Sequence, residues 1–306
     1  MKSLLFIGGT GFLGQSFFDY LDQGNLKGLK LSHTIIISRK TKRIKSNHKI
    51  SYIKKNIKYI KKIPITNYII YAANSSNNKE NLASFNNFKK LLNEDHKNTK
   101  ILFTSSGAVY GQRNVKKKMK ENESLSLTNI NKFTGYKKDY AKTKIILENE
   151  FKKLSKKGFN VSVARLFSFI GKRVLINKNF AITNLINQAK NKTKTSITLH
   201  DSRHVYRGYM DSNDLIKWLI KILINSNKEC NIFNVGSDEV VTIKKLAKLI
   251  SQRYNKQVKY NYKLTFLKKN KSIDYYVPSI LKAKNKLDLK LSYNFNESLN
   301  NLIKNF

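Results

Sequence analysis

The feature that most constrains this chain lies near its first residue. The run Leu4-Leu5-Phe6-Ile7 reads as a strand, and Gly8-Gly9-Thr10-Gly11-Phe12-Leu13-Gly14 follows at once. Leu13, Phe17 and Leu21 then fall at i, i+4 and i+8, on one face of a helix. Gly9, Gly11 and Gly14 satisfy Gly-x-Gly-x-x-Gly, and Gly8, Gly11 and Gly14 give the three-residue-spaced variant. The first glycine permits a sharp turn and the second lets backbone N–H groups approach a pyrophosphate. The third lets the helix pack against the strand, and the helix N-terminus adds partial positive charge. An ordinary glycine-rich turn needs none of this order. Strand, turn and helix together predict a dinucleotide site at Gly8, Gly11, Phe12, Leu13 and Gly14.

The rest of the chain repeats that alternation. Ser3–Gly8, His33–Ser38, Tyr68–Ala72, Lys100–Ser105 and Asn160–Arg165 read as strands, apolar enough to be buried on both faces. Leu82–Leu92 and Tyr140–Leu154 read as helices between them. The pattern predicts an α/β chain with a Rossmann-like, doubly wound parallel sheet. After Arg165 it loosens: helices near Phe180–Lys190, Asn213–Ile224, Thr242–Arg253 and Glu297–Lys304 alternate with strands at Ser196–Leu199 and Asn231–Val235. We expect residues 1–170 to form the dinucleotide-binding domain, with 205–236 returning to it. Residues 171–306 are expected to supply a smaller, mixed substrate lobe.

A formal net charge of +41 raises the question of nucleic acid. The cations are nearly all Lys and are spread along the chain beside abundant Asn and Ile. The longest basic runs, Arg39–Arg43 and Lys116–Lys120, are short. A reading surface would cluster its charge and use Arg for bidentate contacts, so no nucleic-acid partner is expected. The single Cys230 excludes an intrachain disulfide and a cysteine metal cluster. No run approaches the roughly 18 apolar residues of a membrane span. Leu215–Ile224, the nearest, carries Lys217 and Lys221. These features predict a soluble cytoplasmic protein without a metal.

The end of the second strand bears on the choice of dinucleotide. Thr34-Ile35-Ile36-Ile37 runs into Ser38-Arg39-Lys40 with no acid to receive the ribose 2′-hydroxyl of NAD. A hydroxyl and a guanidinium there favour NADP over NAD. Further on, Tyr140-Ala141-Lys142-Thr143-Lys144 places Tyr140 and Lys144 on one helix face. An ammonium at Lys144 is expected to draw the Tyr140 phenol down from about 10 towards the working pH. Such a group can pass a proton while a hydride leaves or reaches a carbinol carbon. That spacing alone is weak in a Lys-rich chain. Ser106, in Thr104-Ser105-Ser106-Gly107-Ala108, strengthens it, because it ends a strand where open α/β sheets bind ligands.

Taken together, these motifs resemble the extended short-chain dehydrogenase/reductases of the NAD-dependent epimerase/dehydratase family, over essentially the whole chain. Asn67-Tyr68-Ile69-Ile70-Tyr71-Ala72-Ala73 resembles the strand ending beside the cofactor. Arg165-Leu166-Phe167-Ser168-Phe169-Ile170-Gly171, the Arg207–Asp214 stretch and Asn234-Val235-Gly236-Ser237 resemble later family segments. The resemblance implies a catalytic Ser106, Tyr140 and Lys144, with Lys144 also holding the cofactor. It implies cofactor contacts at Ala72, Ala73 and Asn56, and substrate contacts at Ser106, Ser168 and Arg207. Asn56 replaces the usual Asp near the adenine and Ser168 the usual Asn near the diphosphate. Arg207 matches the residue that pairs with a sugar-nucleotide diphosphate, unless it forms an ion pair with Asp211 or Asp214.

The departures narrow the chemistry. Sugar 4,6-dehydratases carry Asp-Glu after the catalytic hydroxyl, and this chain has Gly107-Ala108. Reductases that also epimerise beside a ketone carry Cys where Ala108 stands. Hydride transfer alone remains, and the resemblance implies as substrate a nucleotide-activated sugar of the kind used in polysaccharide biosynthesis. Ser38-Arg39 favours net 4-keto reduction, and a 4-epimerase with tightly held NAD shares every catalytic residue. A non-catalytic nucleotide- or RNA-binding member and a reductase of non-nucleotide ketones are the other readings. A homodimer joined through paired helices is common in the family.

Overall fold

A computed structural model describes residues 2–26, 29–39, 43–174, 180–200, 204–261 and 273–304. Its first strand, β1 (Lys2–Ile7), shows why the opening run is continuously apolar. Leu4 and Phe6 face one core with Phe17, Phe18 and Trp218. Leu5 and Ile7 face another with Phe85, Phe88 and Phe151. A strand with helices against both alternate faces sits inside a parallel sheet.

That sheet also holds β2 (Leu31–Ser38), β3 (Ile50–Lys54), β4 (Tyr68–Tyr71), β5 (Lys100–Ser106) and β6 (Asn160–Leu166). The later strands are β7 (Ser168–Ile170), β8 (Ser196–Leu199), β9 (His204–Arg207), β10 (Tyr209–Asp211), β11 (Asn231–Val235), β12 (Val241–Thr242), β13 (Gln257–Tyr260) and β14 (Ile273–Tyr276). The seven-stranded order is β11-β6-β5-β4-β1-β2-β3. Every neighbouring pair is parallel. In register, Leu5 stands between Ile35 of β2 and Ile69 of β4. The Rossmann-like, doubly wound sheet expected from the alternation is therefore present, and β3 extends it by an edge strand.

Helices α1 (Phe12–Asp22) and α6 (Ser212–Ile224) cover one face, while α2 (Asn78–Leu91) and α4 (Gly135–Lys156) cover the other. Phe103 of β5 stacks on Phe151 of α4 with centroids 4.5 Å apart. The remaining helices are α3 (Leu127–Asn131), α5 (Ala181–Lys190), α7 (Ile243–Arg253), α8 (Leu281–Leu287) and α9 (Phe295–Lys304). Smaller sheets lie in the C-terminal part: β10 pairs with β7, β13 with β8, and β9 is flanked by β12 and β14. Among the described residues no helix is long and apolar enough to cross a membrane.

The topology opens a crevice. The chain steps from β1 through β2 to β3 on one side, then from β4 through β5 and β6 to β11 on the other. Strand order reverses between β1 and β4, and ligands in open α/β sheets bind outside the carboxyl ends at such a point. Gly8 and Ala72-Ala73 stand there.

Candidate active site

The glycine turn is shaped by two steric demands. Gly8 has φ of +85°, and a Cβ on it would lie 2.8 Å from the Ala72 carbonyl oxygen and from the Ala73 nitrogen. A Cβ on Gly14 would lie 1.8 Å from the Gly9 carbonyl oxygen, so α1 crosses this close only without a side chain. Gly11 is different. Its φ is −74°, and its Cβ would meet only the Gly8 carbonyl oxygen, at 3.5 Å. The fold does not require glycine at Gly11, and the missing side chain leaves the approach to the α1 N-terminus open. Among the described residues no side chain caps that N-terminus and no acid stands in its first turn. This cradle fits the pyrophosphate of a dinucleotide. Leu13 is buried in the core and Phe12 packs on Phe169 with centroids 6.1 Å apart, so both can serve a cofactor chiefly through backbone N–H groups.

Beside the cradle, the Ser38 hydroxyl lies 2.6 Å from that of Thr10. Arg39 does not stand alone. Its Nη1 donates to both Glu80 oxygens, at 3.1 and 3.2 Å. Asn56 follows β3, and its Nδ2 donates to Glu80 Oε1 at 2.6 Å. Ser75 Oγ donates to Glu80 Oε2 at 2.5 Å. These hydrogen bonds, Ser75 first, together with the Arg39 charge, hold the Glu80 carboxyl below the usual range despite some burial. The guanidinium that favoured NADP in the sequence is thus already engaged by a carboxylate. Lys40 lies outside the described residues.

On the far side of the crevice, Ser106 ends β5 and is buried. Its hydroxyl accepts from the Ala108 N–H at 3.2 Å, which turns the chain into a short 3-10 segment. Tyr140 and Lys144 rise from α4 one turn apart, and Lys144 is buried. Burial pushes the Tyr140 phenol up to about 12, with a hydrogen bond to Ser106 pulling it down and the Tyr136 phenol pushing it up. This is opposite to the lowering expected from Lys144. Burial is the main cause, and Lys144 Nζ donates instead to the Thr104 carbonyl at 3.1 Å. Burial also draws the Lys144 ammonium down to about 8, against an opposing pull from Glu148.

Further buried polar residues complete the surroundings. Glu148, one turn beyond Lys144, accepts from Ser105 Oγ at 2.6 Å and from Arg165 Nη2 at 2.7 Å, all within the core. Arg165 Nη1 donates to the Tyr110 hydroxyl at 2.9 Å, and that hydroxyl donates to Asn234 Oδ1 at 2.8 Å. Tyr276 of β14 brings a third hydroxyl: burial pushes its phenol up, a hydrogen bond with Ser106 draws it down, and Tyr140 pushes it up. A Cβ on Gly107 would lie 2.7 Å from the Tyr276 hydroxyl and 2.8 Å from the Phe167 ring. Any side chain at position 107 would have to displace Tyr276 and Phe167. Ala108 packs among Ile130, Phe133 and Ala141, where an acid would be buried in apolar surroundings.

Arg207 pairs with neither Asp211 nor Asp214. Its guanidinium is held by Asp274, with Nη2 2.9 Å from Oδ2 and Nη1 3.3 Å from Oδ1, because β14 runs beside β9. Asp211 instead caps α6 by accepting from the Asn213 N–H, and Asp214 accepts from the N–H groups of Ser292 and Tyr293. Ser168 opens β7 opposite Tyr209, two residues past Arg207. Sequence spacing did not point to Glu80 on α2, to Glu148 on α4, or to Asp274 and Tyr276 on β14, because their partners come from other elements brought together only by the fold.

Residues 4–236 match the model of the NAD-dependent epimerase/dehydratase family. The chain belongs to that family. No curated protein sequence matches this epimerase/dehydratase chain significantly. Solved structures share its fold at low identity. A dTDP-glucose 4,6-dehydratase from Bacillus anthracis, in complex with NAD, is similar with a TM-score of 0.78 and 16% identity, covering 99% of this chain and 96% of its own. A UDP-N-acetylglucosamine 4-epimerase from Methanobrevibacter ruminantium, bound to UDP-N-acetylmuramic acid, gives 0.75 and 20%, covering 99% and 97%. A UDP-glucose 4-epimerase from Thermotoga maritima, with UDP-glucose, gives 0.75 and 16%, again covering 99% and 97%.

Proposed function

We propose that the chain is a dinucleotide-dependent enzyme that transfers a hydride at C4 of a nucleotide-activated sugar without eliminating water. The observation that carries this reading is the grouping of Ser106, Tyr140 and Lys144 beside a cradle fitted to a pyrophosphate, with Gly107-Ala108 in place of an acid pair. The nicotinamide supplies the site for the hydride. The chain's own groups handle the rest. Tyr140 exchanges a proton with the sugar oxygen, and Ser106 hydrogen-bonds that same oxygen. Lys144 holds the cofactor ribose and contributes positive charge. Arg207, oriented by Asp274, is the proposed partner of the sugar diphosphate, and Ser168 lines the same approach. In this reading residues 1–170 and 205–236 serve the dinucleotide, and much of 171–306 serves the sugar.

Two outcomes share this machinery: net reduction of a 4-keto sugar, and inversion of C4 by removal and return of the same hydride. The Arg39–Glu80 pair favours inversion with retained NAD, because it withdraws the feature that argued for NADPH as a consumed reductant. Denaturing purified protein and measuring released dinucleotide separates them. Stoichiometric NAD supports inversion; none, with NAD(P)H consumed on a 4-keto sugar, supports reduction. Tyr140→Phe is expected to lower turnover on a sugar-nucleotide panel by about 100-fold or more, with dinucleotide Kd unchanged. Full activity in that variant would sink the mechanism.

A further inference from the structure

We propose that Glu80 is the residue that selects NAD over NADP, acting by charge from α2 in place of the acid missing at the end of β2. The inference rests on the dinucleotide reading above and sharpens it. In this fold the residues that end β2 face the ribose of the adenosine half. Here that end is Ser38-Arg39, tied to the glycine turn by the 2.6 Å contact between Ser38 and Thr10. Glu80 reaches the same rim from the first turn of α2.

The carboxylate is fixed from three sides. Arg39 directly follows β2, Asn56 follows β3, and Ser75 lies in the segment after β4. Four donor contacts, two on each oxygen, fill the roughly four acceptor sites of a carboxylate. Glu80 is therefore not free to receive a ribose hydroxyl as well. Its effect is electrostatic. A 2′-phosphate carries about −1.5 to −2 charges near neutral pH and needs a guanidinium to receive it. At this rim it would meet Arg39 already neutralised, with a fixed negative charge beside it. The neutral 2′-hydroxyl of NAD meets no such opposition.

The side chains are partly exposed, 51% for Arg39 and 25% for Glu80, so the discrimination belongs to the solvent-screened range. For unit charges several ångströms apart near water this corresponds to about tenfold in affinity. The test is equilibrium titration of the full chain, stripped of bound nucleotide, with NAD and NADP. We expect the wild type to bind NAD about tenfold tighter. Glu80→Gln, which can keep hydrogen bonds to Asn56 and Ser75, should release Arg39 and improve NADP binding about tenfold with NAD within about twofold. Adding Arg39→Ala to Glu80→Gln should remove that gain. The wild-type preference should also narrow as salt rises, a readout that needs no variant. Tighter wild-type binding of NADP, or an unchanged ratio in folded Glu80→Gln, overturns the proposal. Binding of neither dinucleotide by the wild type overturns the dinucleotide reading itself, a separable result.

Discussion

Lys144 and Glu148 are neighbours on one face of α4, and their burial makes each depend on the other. The Lys144 ammonium is held at about 8 because burial penalises its charge and Glu148 opposes that penalty. Below that value Lys144 is charged, and above it the charge is lost. A step that needs the ammonium should therefore fail as pH rises through about 8. The groups facing Glu148 are Lys144 from its own helix, Ser105 from β5, Arg165 from β6 and the buried Cys230 thiol just before β11. Glu148→Gln removes the negative charge and leaves a side chain of the same shape. The alkaline limb of the rate profile should then move to lower pH, and an unmoved limb in a folded variant would refute the coupling. Because Arg165 loses its buried partner, stability should also fall by about 3–5 kcal/mol, measurable by denaturant melts. The Tyr140–Lys144 spacing was legible because helical periodicity alone puts both on one face. Glu148 and Asp274 were not, because a buried acid has no signature until its cation is known.

At the scale of elements, the turn between β1 and α1 separates folding from binding residue by residue. Gly14 sits where α1 touches the turn, with a Cβ position 1.8 Å from the Gly9 carbonyl oxygen, so Gly14→Ala forces backbone apart. Gly11→Ala meets nothing closer than 3.5 Å and needs no unusual φ. We expect Gly14→Ala to lower Tm severely. Gly11→Ala should melt within a few degrees of the wild type yet bind a dinucleotide at least about tenfold more weakly. Thermal melts and nucleotide titration check the pair, and equal melting losses would refute the distinction. The strands legible in the sequence were those buried on both faces, such as β1 and β5, whose apolar runs are unbroken. Edge strand β3 escaped notice because Ile50-Ser51-Tyr52-Ile53-Lys54 is only partly buried and mixes polar with apolar. Strands β9 and β14 were missed for a related reason. They are four residues each, and their pairing joins segments far apart in sequence, bringing Arg207, Asp274 and Tyr276 together.

Over the whole molecule, charge is the property that neither the sheet nor the site explains. Sixty Lys and Arg stand against nineteen Asp and Glu, roughly three cations for each carboxylate. Several carboxylates are committed locally, Glu148 to Arg165, Asp274 to Arg207 and Glu80 to Arg39. With a formal net charge of +41, the folded chain repels itself. The doubly wound core resists this with two apolar layers, but the repulsion remains a cost to stability that salt can relieve. The Debye length falls from about 30 Å at 0.01 M to about 10 Å at 0.1 M, well inside the width of the molecule. Screening also weakens the surface ion pairs, which contribute only about 0–1 kcal/mol each. With cations in such excess, relief of repulsion should outweigh that loss. Tm should accordingly rise with sodium chloride between 0.01 and 0.1 M, by roughly 2–4 °C for each kcal/mol relieved. Scanning fluorimetry across that range measures it, and a flat or falling Tm would mean that the local pairs, not the net charge, govern this surface.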